Sequence, residues 1–301
     1  MQEFIELQKR CLYLLQSHSS CGHSCSIAHF CEKNGCDECD CSKCLNEIQR
    51  GEPPKFTYCC ERITYQYVLR FFNRFASEIY YAISLYKMDN PNRINIVSLG
   101  CGPGSEIYGI LWALRQRGFN SILHYEGHDL VEAWEPVQQL SKECLAHSGH
   151  NINFYTTDLF NDFHGFDNGV VNLLILNYLL SDSVKFSTKQ QNIQFIERIA
   201  DFIIQNRIKN VLFNDIWYYG SFPTLNSGVQ LIKLLIQKLK NKGARLSVAY
   251  KYFEKDGYIK NENWQPHPSD RLQFQDIKAN KYALNINYCN SKQVFIRLNA
   301  S

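Results

Sequence analysis

A short apolar run that stops at a glycine-rich turn most strongly constrains the fold of this 301-residue chain. Residues 94–99 are Ile-Asn-Ile-Val-Ser-Leu, residues 100–104 are Gly-Cys-Gly-Pro-Gly, and apolar residues then recur at helical spacing from Ile107 to Leu114. The pattern predicts a strand, a tight turn and a helix. Because glycine has no Cβ, the backbone of such a turn can approach a nucleotide-like ligand at the start of the helix.

Strand and helix patterns alternate after this turn. Such alternation predicts an α/β fold with a mostly parallel sheet and helices on both faces. The predicted strands are residues 94–99, 122–127, 152–156, 170–176 and 210–213, with two or three more at 245–253, 282–288 and 293–298. The predicted helices between them are residues 105–117, 132–147, 189–206 and 228–241.

Two further helical patterns precede this α/β region. Residues 2–17 are amphipathic, and residues 61–87 form a long helix with one continuous apolar face. Basic and aromatic side chains on another side of the long helix form either a nucleic-acid-facing surface or a plain solvated side. Those side chains are Arg62, Tyr65, Tyr67, Arg70 and Arg74. We expect an N-terminal cysteine-rich module over residues 1–60, a connecting helix over 61–89 and the α/β domain over 90–301.

Cysteine use is uneven, with nine of the thirteen cysteines between residues 21 and 60. That segment has few aliphatic residues, so it needs a staple to fold, and a chain without a secretion signal favours metal over disulfides. Closely spaced thiolates can share one tetrahedral ion, so we expect one or two structural zinc ions. An iron–sulfur cluster, redox-active pairs and plain buried cysteines are the alternatives. The expected ligands come from Cys21, Cys25, Cys31, Cys36, Cys39, Cys41, Cys44, Cys59 and Cys60.

Acidic residues follow the next two predicted strands. Asp129 comes after the strand that begins at Ile122, and Asp158 comes after the strand over residues 152–156. A carboxylate at the first position can accept two hydrogen bonds from ribose hydroxyls. For either acid, a turn residue or a helix cap is the structural alternative.

The glycine turn, Asp129 and Asp158, in this order, resemble the cofactor-binding motifs of class I S-adenosylmethionine-dependent methyltransferases. The resemblance covers residues 90–301 and implies a Rossmann-like sheet of seven strands with an antiparallel edge. It also implies that Asp158 accepts from the adenine amine and that Leu159 or Phe160 packs on the ring. The residues expected to hold S-adenosylmethionine are Gly100, Cys101, Gly102, Gly104, Glu106, Asp129, Leu130, Asp158, Leu159 and Asn177.

Two departures from that family leave the chemistry open. The family often has an acid two residues before the first glycine, where this chain has Ser98; Glu106 is a candidate substitute, although a helix start tolerates an acid anyway. After the fourth predicted strand, the chain lacks the two prolines of amino-directed nucleic-acid enzymes. We expect Asn177 and Tyr178 to line the methyl site as catalytic residues; alternatively, they only end a strand.

These features predict a methyltransferase that acts on a macromolecule, RNA before protein, because small-molecule enzymes less often need an appended metal module. The alternatives are a cofactor-binding or assembly protein without turnover and a small-molecule methyltransferase with a metal-stapled lid. No stretch approaches the roughly 18 apolar residues of a membrane span, and the N-terminus lacks a signal pattern, so we expect a cytoplasmic protein without a membrane partner. The net charge of +3 decides little about partners. The sequence does not indicate an oligomeric state.

Overall fold

The computed structural model describes most of the chain as alternating helices and strands. The described residues are 1–17, 41–50, 58, 60–86, 92–161, 170–216, 227–253, 263–278 and 288–299. The helices are α1 (Gln2–Ser17), α2 (Cys41–Arg50), α3 (Glu61–Leu85), α4 (Ser105–Gln116), α5 (Glu135–Leu145), α6 (Leu179–Phe186), α7 (Lys189–Gln205) and α8 (Gly228–Asn241). The strands are β1 (Arg93–Leu99), β2 (Ile122–Asp129), β3 (Asn151–Thr156), β4 (Leu173–Asn177), β5 (Asn210–Asp215), β6 (Leu246–Tyr252), β7 (Trp264–Pro266) and β8 (Lys292–Leu298).

The described strands form one sheet of eight strands in the order β3-β2-β1-β4-β5-β8-β6-β7. The first five strands in that order are parallel to one another. β8 runs antiparallel to both β5 and β6. The predicted α/β fold with a mostly parallel sheet and a late antiparallel strand is therefore confirmed.

The predicted count of seven strands is wrong, because residues 264–266 form an additional edge strand, β7, beside β6. A three-residue strand that ends in proline has too little alternation to show in the sequence, and proline is tolerated at a sheet edge. The predicted strand over residues 282–288 lies outside the described residues, except for Tyr288. That residue forms an isolated bridge to Arg271.

Apolar side chains alternate between the two faces of the sheet. On one face, Ile96 and Ile175 join a core that includes side chains of α1, α3 and α4. On the other face, Val97 and Leu174 join a core with α7 and α8. Each fully buried side chain of this kind contributes about 1.5–3 kcal/mol to folding. The helices on both faces therefore fix the strand ends that carry the site.

The long helix α3 is buried around most of its circumference. The ring of Phe72 stacks with that of Phe4 in α1 at a centroid distance of 5.7 Å. One turn further along α3, Gly109 lets α4 approach closely, since a side chain there would collide with the carbonyl oxygen of Ala76. α3 is therefore a structural layer between α1 and the α/β sheet.

The predicted nucleic-acid-facing surface on α3 is wrong. Arg62 and Arg70 each keep only 8% exposure, and Tyr65 is also buried. Arg70 donates from Nη2 to Asn46 Oδ1 of α2 at 2.8 Å, which shows that another helix covers this side. The periodicity of the helix could not reveal this cover, because α2 lies in the cysteine-rich segment, for which we predicted no helix.

A short helix, α6, begins at Leu179, directly after β4, where the sequence pattern indicated only a strand end. None of the helices in the described parts of the chain is both long and apolar enough to cross a membrane. The predicted cytoplasmic location and the predicted domain boundaries stay predictions.

Candidate active site

The glycine turn between β1 and α4 has a backbone that only glycine adopts readily. Gly100, Gly102 and Gly104 have φ values of +66°, +50° and +78°. A side chain at Gly100 would also place its Cβ 2.7 Å from Leu179 Cδ1. A left-handed backbone costs a residue with a side chain roughly 1–3 kcal/mol. Residues with side chains would therefore strain this turn. With glycine at these positions, the backbone forms a cradle that a nucleotide-like cofactor can approach closely.

Asp129, at the end of β2, holds this turn in place. Its Oδ2 accepts from the amide N–H of Gly102 at 2.8 Å, and its Oδ1 accepts from the amide of Val131 at 3.0 Å. Burial raises the pKa of Asp129 to about 6, although these two hydrogen bonds oppose the rise. A carboxylate has about four acceptor positions, so Asp129 can still accept from ligand hydroxyls.

Glu106 places an acid beside Ser98, where the methyltransferase family often has one. The hydroxyls of Ser98 and Tyr125 donate to Glu106 Oε1 at 2.5 Å and 2.6 Å. Burial raises the pKa of Glu106, while its hydroxyl partners lower it. The side chain is completely buried, so it supports the turn from behind and has no surface for a ligand.

Cys101 and Leu130 have opposite environments. The Cys101 side chain is buried beneath the turn, with Sγ 3.6 Å from the carbonyl oxygen of Gly102. Because the side chain is buried, only the Cys101 backbone can face the cradle, and the same burial raises the pKa of the thiol well above its usual range. Leu130 is 59% exposed next to Asp129 and offers an apolar surface at the edge of the site.

The predicted adenine corner after β3 is a tight turn with both carboxylate oxygens in use. Asp158 Oδ1 accepts from the amide of Phe160 at 2.9 Å, and Oδ2 accepts from Asn161 Nδ2 at 2.6 Å. Leu159 is buried, and the Phe160 ring stacks with Phe195 of α7 at 4.5 Å. Asp158 therefore stabilises a turn, which was the alternative interpretation of its position, and its role toward adenine stays a prediction.

An aromatic wall, defined as Tyr58, Tyr67 and Trp134, borders the glycine turn. Tyr67 of α3 lies 5.1 Å from Trp134 between ring centroids, and Tyr58 lies 4.7 Å from Trp134. A Cβ on Gly102 would lie 3.7 Å from the Trp134 ring, so this wall adjoins the cradle. We did not predict this site role. The repeat of Tyr67, Phe71 and Phe75 at four-residue spacing was the available signal.

Asn177 and Tyr178, the two predicted catalytic residues, are brought to the same strand end and are both hydrogen-bonded. Asn177 Oδ1 accepts from Asn214 Nδ2 at 2.8 Å, and its Nδ2 lies 3.4 Å from Ser105 Oγ. Tyr178 adopts a left-handed backbone with φ of +58°, and its hydroxyl donates to Glu78 Oε2 at 2.9 Å. Burial raises the pKa of Tyr178 well above its usual range, so its hydroxyl is neutral.

Glu78 of α3 ties that strand end to the rest of the sheet. Besides Tyr178, it accepts from Asn214 Nδ2 at 3.0 Å and from the amide of Asn290 at 3.1 Å. Its side chain is fully buried. Because α3 precedes the α/β region and no motif marks Glu78, the sequence offered no signal for this role.

Two more acids lie near the ends of β4 and β5: Asp182 in α6, and Asp215, which is fully buried with both carboxylate oxygens bonded to backbone amides. Burial raises the pKa of Asp215 to about 7, and the nearby charge of Asp182 raises it further. After burial, the charge of Asp182 also contributes to the raised pKa of Asp129 and of Tyr67. Asp129, Asp182 and Asp215 therefore lie near one another at the carboxyl ends of the parallel strands, where ligands of α/β proteins bind.

The predicted zinc ligands fall mostly outside the described residues. Cys41 and Cys44 are buried in the first turn of α2, and Cys60 precedes α3 as its cap residue. The six other predicted ligands, Cys21, Cys25, Cys31, Cys36, Cys39 and Cys59, are not among the described residues. Within the described ranges, no group of three or more histidine, cysteine or acidic side chains is arranged for a metal ion. The zinc module stays a prediction.

No protein-family model matches this sequence, and no curated protein matches it. Solved structures with which the chain aligns include the plantazolicin methyltransferase BpumL with bound SAH, at 11% identity, 98% coverage of this chain, 99% of that chain and a TM-score of 0.39. An O-methyltransferase family protein from Burkholderia thailandensis aligns at 12% identity, with 91% and 70% coverage and a TM-score of 0.45. Magnesium protoporphyrin IX methyltransferase (ChlM) from Synechocystis PCC 6803 aligns at 11%, with 86% and 92% coverage and a TM-score of 0.40. Likenesses of this size assign no family or activity to the chain.

Proposed function

We propose that this protein is an S-adenosylmethionine-dependent methyltransferase. The single observation that carries the proposal is the left-handed glycine turn held by Asp129, in a sheet whose β8 is antiparallel. The turn offers a cradle for the methionine part and ribose of the cofactor, and Asp129 offers acceptors for the ribose hydroxyls.

The sheet order favours this cofactor over a nicotinamide dinucleotide. Doubly wound dinucleotide-binding sheets add their sixth strand in parallel, in the order 3-2-1-4-5-6. Here the position beside β5 is taken by the antiparallel β8, the last strand of the chain. The turn also reads Gly-Cys-Gly-Pro-Gly-Ser instead of the dinucleotide pattern G-x-G-x-x-G.

Bound S-adenosylmethionine supplies a methyl group that is activated by a sulfonium. Transfer to a good nucleophile mainly requires alignment of the two reactants and exclusion of water. Asn177 and Tyr178 would serve this purpose as neutral, fixed groups at the end of β4, since hydrogen bonds to Asn214 and Glu78 hold them. We assign them to positioning the acceptor and to none of the proton transfers.

The acceptor that the geometry favours is a small molecule, in contrast to our sequence-based expectation of RNA. The arginines of α3 that would have contacted nucleic acid are buried, with Arg70 bonded to Asn46. The aromatic wall, including Tyr58 from the end of the cysteine-rich segment, covers one side of the site. A covered site suits a small acceptor better than a polymer. For the module itself, we retain structural zinc as a proposal.

A transfer assay with S-[methyl-³H]adenosylmethionine and fractionated cell extract tests the proposed activity. We expect label in the small-molecule fraction, with none in the RNA or protein fractions. Label in RNA or protein would overturn the proposed acceptor class. Cofactor binding without transfer to any fraction would instead support a non-catalytic cofactor-binding protein.

A further inference from the structure

Arg74 has an incompletely paired guanidinium on the face of α3 that lines the candidate site. Its side chain is only 14% exposed, and its nearest acid is Glu78, with Nε 3.8 Å from Oε1. Nε is buried and meets no hydrogen-bond acceptor among the described residues. The guanidinium carbon lies 4.9 Å from the ring centre of Phe75 and 5.9 Å from that of Tyr178.

Glu78 offers Arg74 an opposite charge but no hydrogen bond. Its two oxygens already accept from Tyr178, Asn214 and Asn290 at 2.9–3.1 Å, which are much shorter contacts than the one to Arg74. A buried cation without full hydrogen bonding is costly, and truncation of its partners is destabilising. Arg70, one turn earlier on the same helix, is also enclosed, and its Nη2 donates to Asn46 Oδ1 at 2.8 Å. Arg74 therefore has unused donor capacity.

The position of Arg74 links it to the glycine turn. Two turns earlier on α3, Tyr67 packs on Trp134, which adjoins Gly102. On the other side, Arg74 faces the Tyr178 ring, next to Asn177, whose amide reaches toward Ser105. The guanidinium thus lies beside Tyr178 at one border of the candidate site, and the space between the end of β4 and the glycine turn is called the gap. In the proposed function, the methionine part of the cofactor and the methyl acceptor meet there.

We propose that Arg74 binds a carboxylate in this gap, an inference that rests on the proposed function. A guanidinium offers a planar pair of donors that matches a carboxylate. A singly charged anion suits the gap better than a phosphate, because two acids, Asp129 at the glycine turn and Glu78 beside Arg74, already border it. The carboxylate belongs either to the methionine part of the cofactor or to the acceptor.

Calorimetry on the full chain separates these two sources. S-adenosylhomocysteine carries the amino-acid carboxylate, whereas methylthioadenosine lacks it and keeps the adenosine. If the cofactor supplies the carboxylate, Arg74→Gln lowers the affinity for S-adenosylhomocysteine by about tenfold or more. The affinity for methylthioadenosine stays within about twofold of the wild-type value. Arg70→Gln, the matched loss of an enclosed arginine from the same helix, changes neither affinity. Arg74→Lys, which keeps the charge, gives an intermediate loss and guards against a folding defect in the glutamine variant.

Benzoate, titrated with and without saturating S-adenosylhomocysteine, probes the second source. If the acceptor supplies the carboxylate, the wild type binds benzoate, Arg74→Gln does not, and S-adenosylhomocysteine binds both proteins equally. The inference is overturned if Arg74→Gln binds S-adenosylhomocysteine and benzoate with the affinities of the wild type. It is also overturned if the variant loses affinity for S-adenosylhomocysteine and methylthioadenosine to the same extent. If the wild type binds neither nucleoside, the proposed function fails, and benzoate alone then decides the role of Arg74.

Discussion

At the residue scale, Asp129 accepts hydrogen bonds from the backbone of the turn and keeps further acceptor positions for a ligand. We predict that Asp129→Ala weakens S-adenosylhomocysteine binding by about tenfold or more, since charge-assisted hydrogen bonds are lost. Asp201→Ala, which removes a surface acid paired with Lys242, serves as the control. Equal affinities of the two variants, measured by calorimetry, would refute a ligand role for Asp129.

The pKa of Asp129 gives this role a pH signature. Burial raises the pKa to about 6, and the carboxylate accepts from ligand hydroxyls more strongly than the protonated acid does, so affinity decreases as pH is lowered through about 6. The pH dependence of the folding stability has the opposite sign. The folded-state pKa exceeds the unfolded value of 3.8, so this group lowers the free energy of unfolding as pH rises from there to about 6. A wild-type affinity without pH dependence in this window would contradict the first expectation.

Gly100 tests the cradle separately from the chemistry. Gly100→Ala combines a left-handed backbone with a collision against Leu179, whereas Gly118→Ala has a similar backbone and open space around it. Urea unfolding should show a loss of about 1–2 kcal/mol for Gly118→Ala from the backbone alone. For Gly100→Ala, we predict a further loss of about 1–3 kcal/mol from the collision. Equal losses of unfolding free energy in the two variants would mean that the Leu179 side chain moves aside without an energetic cost.

At the scale of elements, α3 is fastened to the strand ends through Glu78. Glu78→Gln replaces one acceptor oxygen by a donor group that faces other donors. We therefore predict a loss of roughly 1.5–3 kcal/mol in the free energy of unfolding. Glu197→Gln, at a partly exposed ion pair between α7 and α8, should cost less than about 1 kcal/mol. If chemical denaturation gives Glu78→Gln the smaller loss, the network does not fasten α3.

The elements with strong periodicity could be predicted from the sequence, and those defined by neighbours could not. The predicted helix over residues 228–241 has the observed bounds of α8, and β1 begins one residue before its predicted start at Ile94. α6 is missed because its eight residues follow directly on an apolar strand. The buried arginines of α3 are missed because helix periodicity does not reveal that α1 and α2 cover its outer side.

The same distinction applies to the site. The glycine turn and Asp129 have local signatures, and the structure brings them together. Tyr67, Glu78 and Arg74 reach the strand ends only because α3 folds back over the sheet, a long-range event without a motif. For Asp158, the sequence does not decide, since its position after a strand fits a ligand role and a turn equally well, and the structure shows its bonds within the turn.

At the scale of the whole molecule, the cysteine-rich segment meets the candidate site at Tyr58, whose ring packs on Tyr67 and Trp134. If zinc folds that segment, its removal should loosen the aromatic wall. We predict about one or two zinc ions per chain by mass spectrometry and a lower melting temperature after treatment with a chelator. A metal-free protein with an unchanged melting temperature would exclude the zinc module.

The central claim is that the chain holds S-adenosylmethionine at the glycine turn. Calorimetric titration of the wild-type protein with S-adenosylhomocysteine, with NAD⁺ in a parallel titration, tests it most directly. We predict saturable binding of S-adenosylhomocysteine at one site per chain and no binding of NAD⁺. Binding of NAD⁺ alone, or of neither compound, would contradict the claim.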